Sequence, residues 1–467
     1  MKWMRGKLVA IVGSTDVGDR GKMSVLMNGR SRRYLSLIVA IITVAGAGSR
    51  VSSGPALAGG PAPLKLGWSR LLGGTGDDWT GYVATSRDGK SVFFAGQSVG
   101  PEFNGAPPVG GNDVVLARYD VTGKLLWVRR LGGTGTEFPE GIVIAPDRSI
   151  FLAGYTNSGS FEGVTNTRGQ QAFVARFTPK GDLVWVKLLG GPGDEQASGI
   201  AISADGKRIV VAGSTNGAKF HRVPTNGGYD TWLAWFDPSG KRLRVRVLGG
   251  LDDEFPEAVG LAEDGSAYVV GESSKATPGQ TPGASTGTAL YLARYTKQGA
   301  LAWNNTIDGD AYDWAAGVAA RDGQVYIGGF TESTTLGGVK NHGSTDQFLA
   351  SYKPSGKRSW LRLYGDAGAD NAYSMTLDAT GDVVLAGDKP STKPQVGGGA
   401  KAFRVSRFSP TGGALDTFVM GGTAGIGVSM VFGAPDGSLY VTGQMYGGKF
   451  GGHPGLGGED MFLVRLK

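Results

Sequence analysis

The chain has 467 residues, 82 glycines, no cysteine and a formal net charge of +7. Residues 1–58 carry nine of its 47 Lys and Arg but only two of its 40 Asp and Glu, so the remainder balances to zero, which argues against nucleic acid as a partner. Without cysteine there are no disulfides, thiolate metal sites or lipidated cysteine anchors, and the compartment stays open.

The first element is a leader, residues 1–58. Arg30, Arg32 and Arg33 precede an apolar run, Leu35–Ala47, and a small-residue stretch then places Ala56 and Ala58 in an A-x-A arrangement. A basic segment, a short apolar run and such a site predict a secretory signal peptide over residues 27–58. The run is short for a transmembrane helix, so the processed chain has no membrane span; an uncleaved anchor is the alternative. Residues 1–22, with Asp16 and Asp19, read as an over-long start, and Met23 or Met27 is the more sensible first residue. SRRYL (Ser31–Leu35) loosely resembles a twin-arginine export signal. Gly13–Met23 has the look of a phosphate loop but lacks its glycine spacing and the Ser or Thr after the lysine.

From residue 59 onward the chain is one sentence rewritten. A hydrophobic marker recurs at Leu72, Leu131, Leu189, Leu248, Ile307, Tyr364 and Met420, at spacings of 59, 58, 59, 59, 57 and 56. A glycine that ends an apolar strand recurs at Gly96, Gly154, Gly213, Gly271, Gly329, Gly387 and Gly443. Two markers with one period indicate a repeat architecture of about 58 residues per unit. Each unit holds four strand signals. In the first, Tyr82–Ser86 leads through an Asp88-Gly89 turn into Lys90–Ala95. Asp-Gly between apolar runs is a hairpin signal, and it returns at Asp205-Gly206, Asp264-Gly265, Asp322-Gly323 and Asp436-Gly437. A long loop, Gln97–Asn112, precedes a third strand, Asp113–Tyr119, and a tight turn at Gly123 leads to a fourth, LLWVRRL. No helical period appears after residue 60.

This pattern predicts an all-β fold: a seven-bladed β-propeller of four-stranded antiparallel blades in one domain, residues 59–467. The strand near Val83 is innermost and the tryptophan strand outermost. The chain stops after Asp460–Leu466, one strand short of a blade, and begins with an orphan fourth strand, Leu66–Leu72. Pairing the N-terminal strand with the C-terminal blade closes the ring and covers the open edge. Tryptophan lies four residues before the marker at Trp68, Trp127, Trp185, Trp303 and Trp360, with Arg244 and Asp416 in the other two copies. Its strict mid-strand phase favours packing between blades over a binding surface.

The GGTGDD lead-in, the Asp-Gly turn before a strand ending Ala-Gly, and D-x-F/V-x-A-R-Y/F before a glycine turn resemble the bacterial SBBP-type β-propeller repeat over residues 65–467. The resemblance implies a secreted, periplasmic or cell-surface propeller with a generic binding role. The seventh unit departs from it, because GGTAGIG lacks the acidic pair; in the sixth, Thr380-Gly381 replaces Asp-Gly.

One set of polar residues keeps a fixed place, six after the marker: Asp78, Glu137, Glu195, Glu254, Asp313 and Asp370, with Ile426 in the seventh copy. In a ring they sit near the channel mouth, where they form an axial cation or sugar site. Alternatively, each accepts hydrogen bonds from its own lead-in loop or pairs with a third-strand arginine (Arg118, Arg176, Arg294, Arg407, Arg465), the favoured reading for a residue needed in nearly every blade. The trio Asp308, Asp310 and Asp313 lacks the ordered calcium loop. His221, His342 and His453 fall in long loops of alternate blades, too far apart for a shared metal and best read as solvated. Tyr119–Trp127 brushes the tryptophan-docking repeat of quinone dehydrogenases but has the wrong spacing, and no nucleophile elbow is present. No catalytic, cofactor or metal constellation emerges. The expected function is a monomeric binding or scaffold module for a protein or glycan, presenting long loops that carry Phe103, Phe161, Phe220 and Phe450, which either face the partner or tuck the loops onto the blades. An extracellular lyase or hydrolase working in the axial pocket, and a structural part of an outer layer or matrix, are the alternatives.

Overall fold

A computed structural model of the protein describes residues 62–274, 288–389 and 400–467. The expected leader, export signals, processing site and alternative starts all fall outside the described residues. All regular structure among the described residues is β, and no helix there is long and apolar enough to cross a membrane. The strands form antiparallel four-stranded sheets, as in a propeller-like fold.

The first complete sheet shows the plan. Its strands run Asp78–Thr85, Ser91–Ser98, Asp113–Asp120 and Leu125–Leu131, and pair in that order. Four further sheets repeat it. The tryptophan strand is outermost and the acidic strand lies at the other edge, as the sequence predicts. The marker residues from Leu72 to Tyr364 are the last residues of their outer strands. The second strand Ser91–Ser98 is buried along its whole length instead of alternating, because both of its faces are covered. The cores therefore lie between sheets: Phe93 and Leu116 of the first unit share a cluster with Leu152 and Phe173 of the second.

The inner strands are longer than expected. The first begins at Asp78, not Tyr82, so the recurring carboxylate is its first residue. The repeated glycine does not end the second strand either; Gly96 is followed by two more paired residues, Gln97 and Ser98. A bulge explains the glycine. The register of the inner strand slips between Ala197 and Gly199, directly opposite Gly213. A Cβ on Gly213 would run into the Gln196 carbonyl on one side and the Trp232 ring on the other. The same collision awaits a Cβ on Gly154, against Phe138 and Phe173.

The last units are joined differently. One 20-residue strand, Ala414–Gly433, pairs with Ala400–Phe408 along its first half and with Leu439–Tyr446 along its second. The seventh copy lacks the acidic lead-in, and the strand runs through where the other units turn. Beyond Leu439–Tyr446 come Glu459–Leu466 and then the N-terminal strand Leu66–Leu72, which pairs with it antiparallel from Trp68–Arg465 to Leu72–Met461. Lys65 and Lys467 exchange backbone hydrogen bonds at 2.9 and 2.8 Å. The expected partnership between the first and last strands is present.

The long loops hold small hairpins. In four units a two-residue pair folds back on another across a tight turn, as Lys219-Phe220 does on Val223-Pro224. Phe103, Phe161, Phe220 and Phe450 are fully buried. They tuck the loops onto the sheets, the second of the two places the sequence allows them, and present nothing to a partner.

Candidate functional site

The six recurring carboxylates are seated inside their own units. Asp78, Glu137, Glu195, Glu254 and Asp313 are fully buried, and Asp370 is 5% exposed. Gly74 N–H donates to Asp78 at 2.9 Å, Gly133 N–H to Glu137 at 3.1 Å, Gly250 N–H to Glu254 at 2.6 Å and Asp366 N–H to Asp370 at 2.8 Å. Hydroxyls at the end of the second strand complete the clasp: Thr156 donates to Glu137 at 2.7 Å, Thr215 to Glu195 at 3.1 Å, Ser273 to Glu254 at 3.2 Å, and Thr331 to Asp313. Glu137, Glu195 and Glu254 thus tie the lead-in loop to the strand beside them. This is the geometry of the lead-in-loop alternative.

Burial raises the pKa values of Asp78, Glu137, Glu195, Glu254 and Asp313. Asp78 rises to about 6, and Glu195, Glu254 and Asp313 each to about 7; Glu137 moves the same way. Hydrogen bonds to the charged form oppose the shift without cancelling it. A second carboxylate adds to it in all five, and in three units that neighbour belongs to the third strand: Asp460 beside Asp78, Asp113 beside Glu137 and Asp230 beside Glu254. These partners start the third strands, are themselves buried, and have no role in the sequence-based reading. Their signal was the first letter of the D-x-F/V-x-A-R pattern. The pairing explains the first glycine after the marker. A Cβ on Gly73 would sit 2.6 Å from Asp460 Oδ1 and 2.7 Å from Asp78 Oδ2.

The third-strand arginines do not meet these carboxylates. Arg176 pairs with Asp147 at 3.2 Å, Arg294 with Asp264 at 3.0 Å and Arg465 with Asp436 at 2.7 Å, all at the hairpin between first and second strands. Their other guanidinium nitrogens reach the next unit. Arg176 and Trp185 both donate to Pro238 O, at 3.1 Å each; Arg294 and Trp303 both donate to Pro354 O, at 2.9 and 2.8 Å. The Trp185 ring rests on Gly240 and on Phe151. Tryptophan is a part of the joint between units, as its phase suggests. One of the two exceptions serves the same joint, and the other does not. Arg244 donates to Lys297 O at 3.1 Å. Asp416 has no such turn beside it, and accepts from Leu64 N–H at 2.8 Å next to the paired chain ends. Asp370 alone of the six has an arginine partner, Arg404 at 2.6 Å, which lies outside the expected set.

The acidic trio is dispersed: Asp308 is exposed, Asp310 caps Thr334 and Asp313 is buried. Among the described residues no group of three or more His, Asp or Glu is placed to hold a metal. Nor are the histidines all solvated. His342 Nδ1 lies 2.6 Å from Asp346. His221 is half-buried, stacked edge-on against Phe220, with Arg242 2.6 Å from its Nδ1. It lines a cavity of about 450 Å³ with Arg168, Gln171, Lys219 and Arg222.

No family model matches the chain. It is 27% identical over 420 residues to the regulatory protein FlaEY of Caulobacter vibrioides, an alignment covering 78% of this chain and 43% of that relative. It is 22% identical over 130 residues to an uncharacterized WD repeat-containing protein of Acanthamoeba polyphaga mimivirus, covering 22% of this chain and 9% of that one. The chain therefore spans less than half the length of either relative. The likenesses are to a regulator and to a repeat protein.

Proposed function

We propose that residues 59–467 form a closed, seven-bladed β-propeller of the SBBP-repeat type that acts as a monomeric binding module for a protein or glycan partner. The pairing of Leu66–Leu72 with Glu459–Leu466 supports closure, as do bonds that first or second strands make to the inner strand of a neighbouring unit. Gln97 donates to Glu137 O at 2.8 Å, Val431 N–H to Ser374 at 3.0 Å, and Thr442 to Gly81 O across the seam between the last unit and the first. The leader supports a secreted, periplasmic or cell-surface location.

One observation carries the binding role. The repeated residues are consumed by the fold, whereas the hairpin turns mounted on it differ in charge from copy to copy: Glu162-Gly163, His221-Arg222 and Gly451-Gly452 occupy one place. Variable turns on a rigid frame suit recognition. The recurring carboxylates are buried within their own units, which favours binding over turnover. Similarity to a protein named as regulatory points the same way. A glycan array and a cross-linked pull-down on residues 59–467 test the reading. The expected result is saturable capture of one ligand that is recovered unchanged. Recovery of a cleaved or eliminated product would replace the module with an enzyme.

A further inference from the structure

In the second and third units one repeated structural feature carries opposite charges. A groove lies where the small hairpin of a unit faces the glycine pair that leads into it. Between the first and second units the groove holds Gly132, Gly133, Ser160 and Glu162, and Glu162 accepts a hydrogen bond from Gly132 N–H at 3.0 Å. Between the second and third the walls are Gly190, Gly191 and Pro192, but the side chains are Arg168, Lys219, His221 and Arg222. Position by position, Lys219 stands where Ser160 does and His221 where Glu162 does. This is a break of the repeat in one place by several unlike residues. No ion pair involves Arg168, Lys219, Arg222 or Arg242 among the described residues.

Two independent features mark the same spot. The first is backbone strain. The small hairpins turn through two residues of positive φ, and the second is a glycine at Gly105, Gly163, Gly338 and Gly452. In the third unit the pair is His221 at φ 44° and Arg222 at φ 74°, with no glycine. A side chain in that region is strained, and such strain persists where the side chain is needed. The second feature is an orphaned donor. Arg242 can only donate, so its contact makes His221 Nδ1 the acceptor and puts the ring proton on Nε2. That Nε2 is buried and has no partner. Burial and the neighbouring Arg242 and Arg168 push the His221 pKa down to about 4, so the ring is neutral at pH 7 and offers an N–H without adding charge. Glu195 lies behind the Gly190-Gly191 wall, and burial raises its pKa to about 7, which weakens its opposition to an anion in the cavity.

We propose that this cavity binds the anionic unit of an acidic polysaccharide, a uronate or sulfated sugar, with Arg168, Lys219 and Arg222 meeting the oxyanion and His221 Nε2–H donating to the same group. Planar guanidinium forks suit carboxylate and sulfate oxygens. The volume of about 450 Å³ exceeds what a bare oxyanion needs and leaves room for the ring that carries it. Leu188 and Pro192 give that ring an apolar wall. The proposal rests on the binding-module reading and specifies its ligand.

The test is calorimetric titration of residues 59–467 with glucuronate, glucose 6-sulfate, neutral glucose, inorganic phosphate and a phosphoserine peptide. The acidic sugars are expected to bind more tightly than glucose by at least about tenfold, and more weakly as salt rises. Substituting His221→Gly together with Arg222→Gly restores the turn chemistry of the fifth and seventh units. This double variant is expected to keep or raise the melting temperature while losing at least about tenfold in affinity for the acidic sugars. Arg168→Ala should weaken them similarly. The proposal falls if glucose binds as well as glucuronate, if the double variant binds unchanged, if no acidic sugar binds, or if only the phosphopeptide does. Ligand recovered as a cleaved product would instead overturn the module reading and leave the site itself in place.

Discussion

At the scale of single residues, the repeat is held by groups that leave no room for substitution. Gly213 lies between a bulged carbonyl and an indole, and a methyl group there would overlap both. Gly213→Ala is expected to lower stability by about 1–3 kcal/mol, the usual cost of overpacking, measured by urea denaturation. Retention of the wild-type midpoint would remove the close-approach account of the glycine. The buried carboxyls give a different signature. Glu195 and Glu254 move from 4.5 to about 7 on folding. The folded chain therefore holds protons that the unfolded chain has released between those values. Stability from these groups is fully present below pH 4.5 and is lost as pH rises toward 7. The exposed hairpin carboxylates Asp88, Asp205 and Asp237 are lowered from 3.8 by hydrogen bonds and act only in a more acid range. Between pH 4.5 and 7 the midpoint of unfolding is thus expected to fall. Glu195→Gln and Glu254→Gln should each flatten that dependence by about one proton. An unchanged slope in both variants would show that these carboxyls are ionised when buried.

At the scale of elements, the joint between units is the working part. The tryptophan and the third-strand arginine converge on one carbonyl of the next unit, as at Pro238. Trp185→Phe keeps a ring over Gly240 but gives up the bond, and is expected to lose about 0.5–1.5 kcal/mol. Trp185→Leu should lose more. Trp185→Arg should lose less than Trp185→Leu, because Arg244 already performs the same service in the next unit. A ranking with arginine at the bottom would sink the shared role, and thermal unfolding of the three variants reads it out. The strand order and the joint were legible because turn chemistry and the tryptophan phase are local and recur from unit to unit. What stayed hidden depends on two chains of residues meeting in space. The bulge opposite Gly213 and the pairing of Asp113 with Glu137 leave no periodic mark of their own. The recurring carboxylates were found by position. Their clasp with Thr156 and Thr215 was not, because those hydroxyls are ordinary strand endings until the fold brings them close.

At the scale of the whole molecule, everything turns on the strand Leu66–Leu72. It covers the edge of Glu459–Leu466, buries Leu72 completely, and sends Trp68 to Val121 O at 2.9 Å, while Arg465 reaches the same carbonyl at 2.8 Å. One short segment therefore seals the last sheet and makes its joint to the first unit. An isolated sheet without it would expose an unpaired edge and an apolar face, a template for association with other chains. A chain beginning at Gly73 is expected to lose the joint tryptophan, melt at lower temperature and associate at concentrations where the longer chain stays monomeric. A peptide of residues 62–74 added in trans should pair with Glu459–Leu466 and restore the melting temperature as its concentration rises, because a segment that binds only the folded chain stabilises it by mass action. Light scattering and thermal unfolding follow both effects. If the shortened chain melts and stays dispersed as the longer one does, the strand is an ornament on a sheet that is stable with an open edge, and the proposed closure is not what holds the units together.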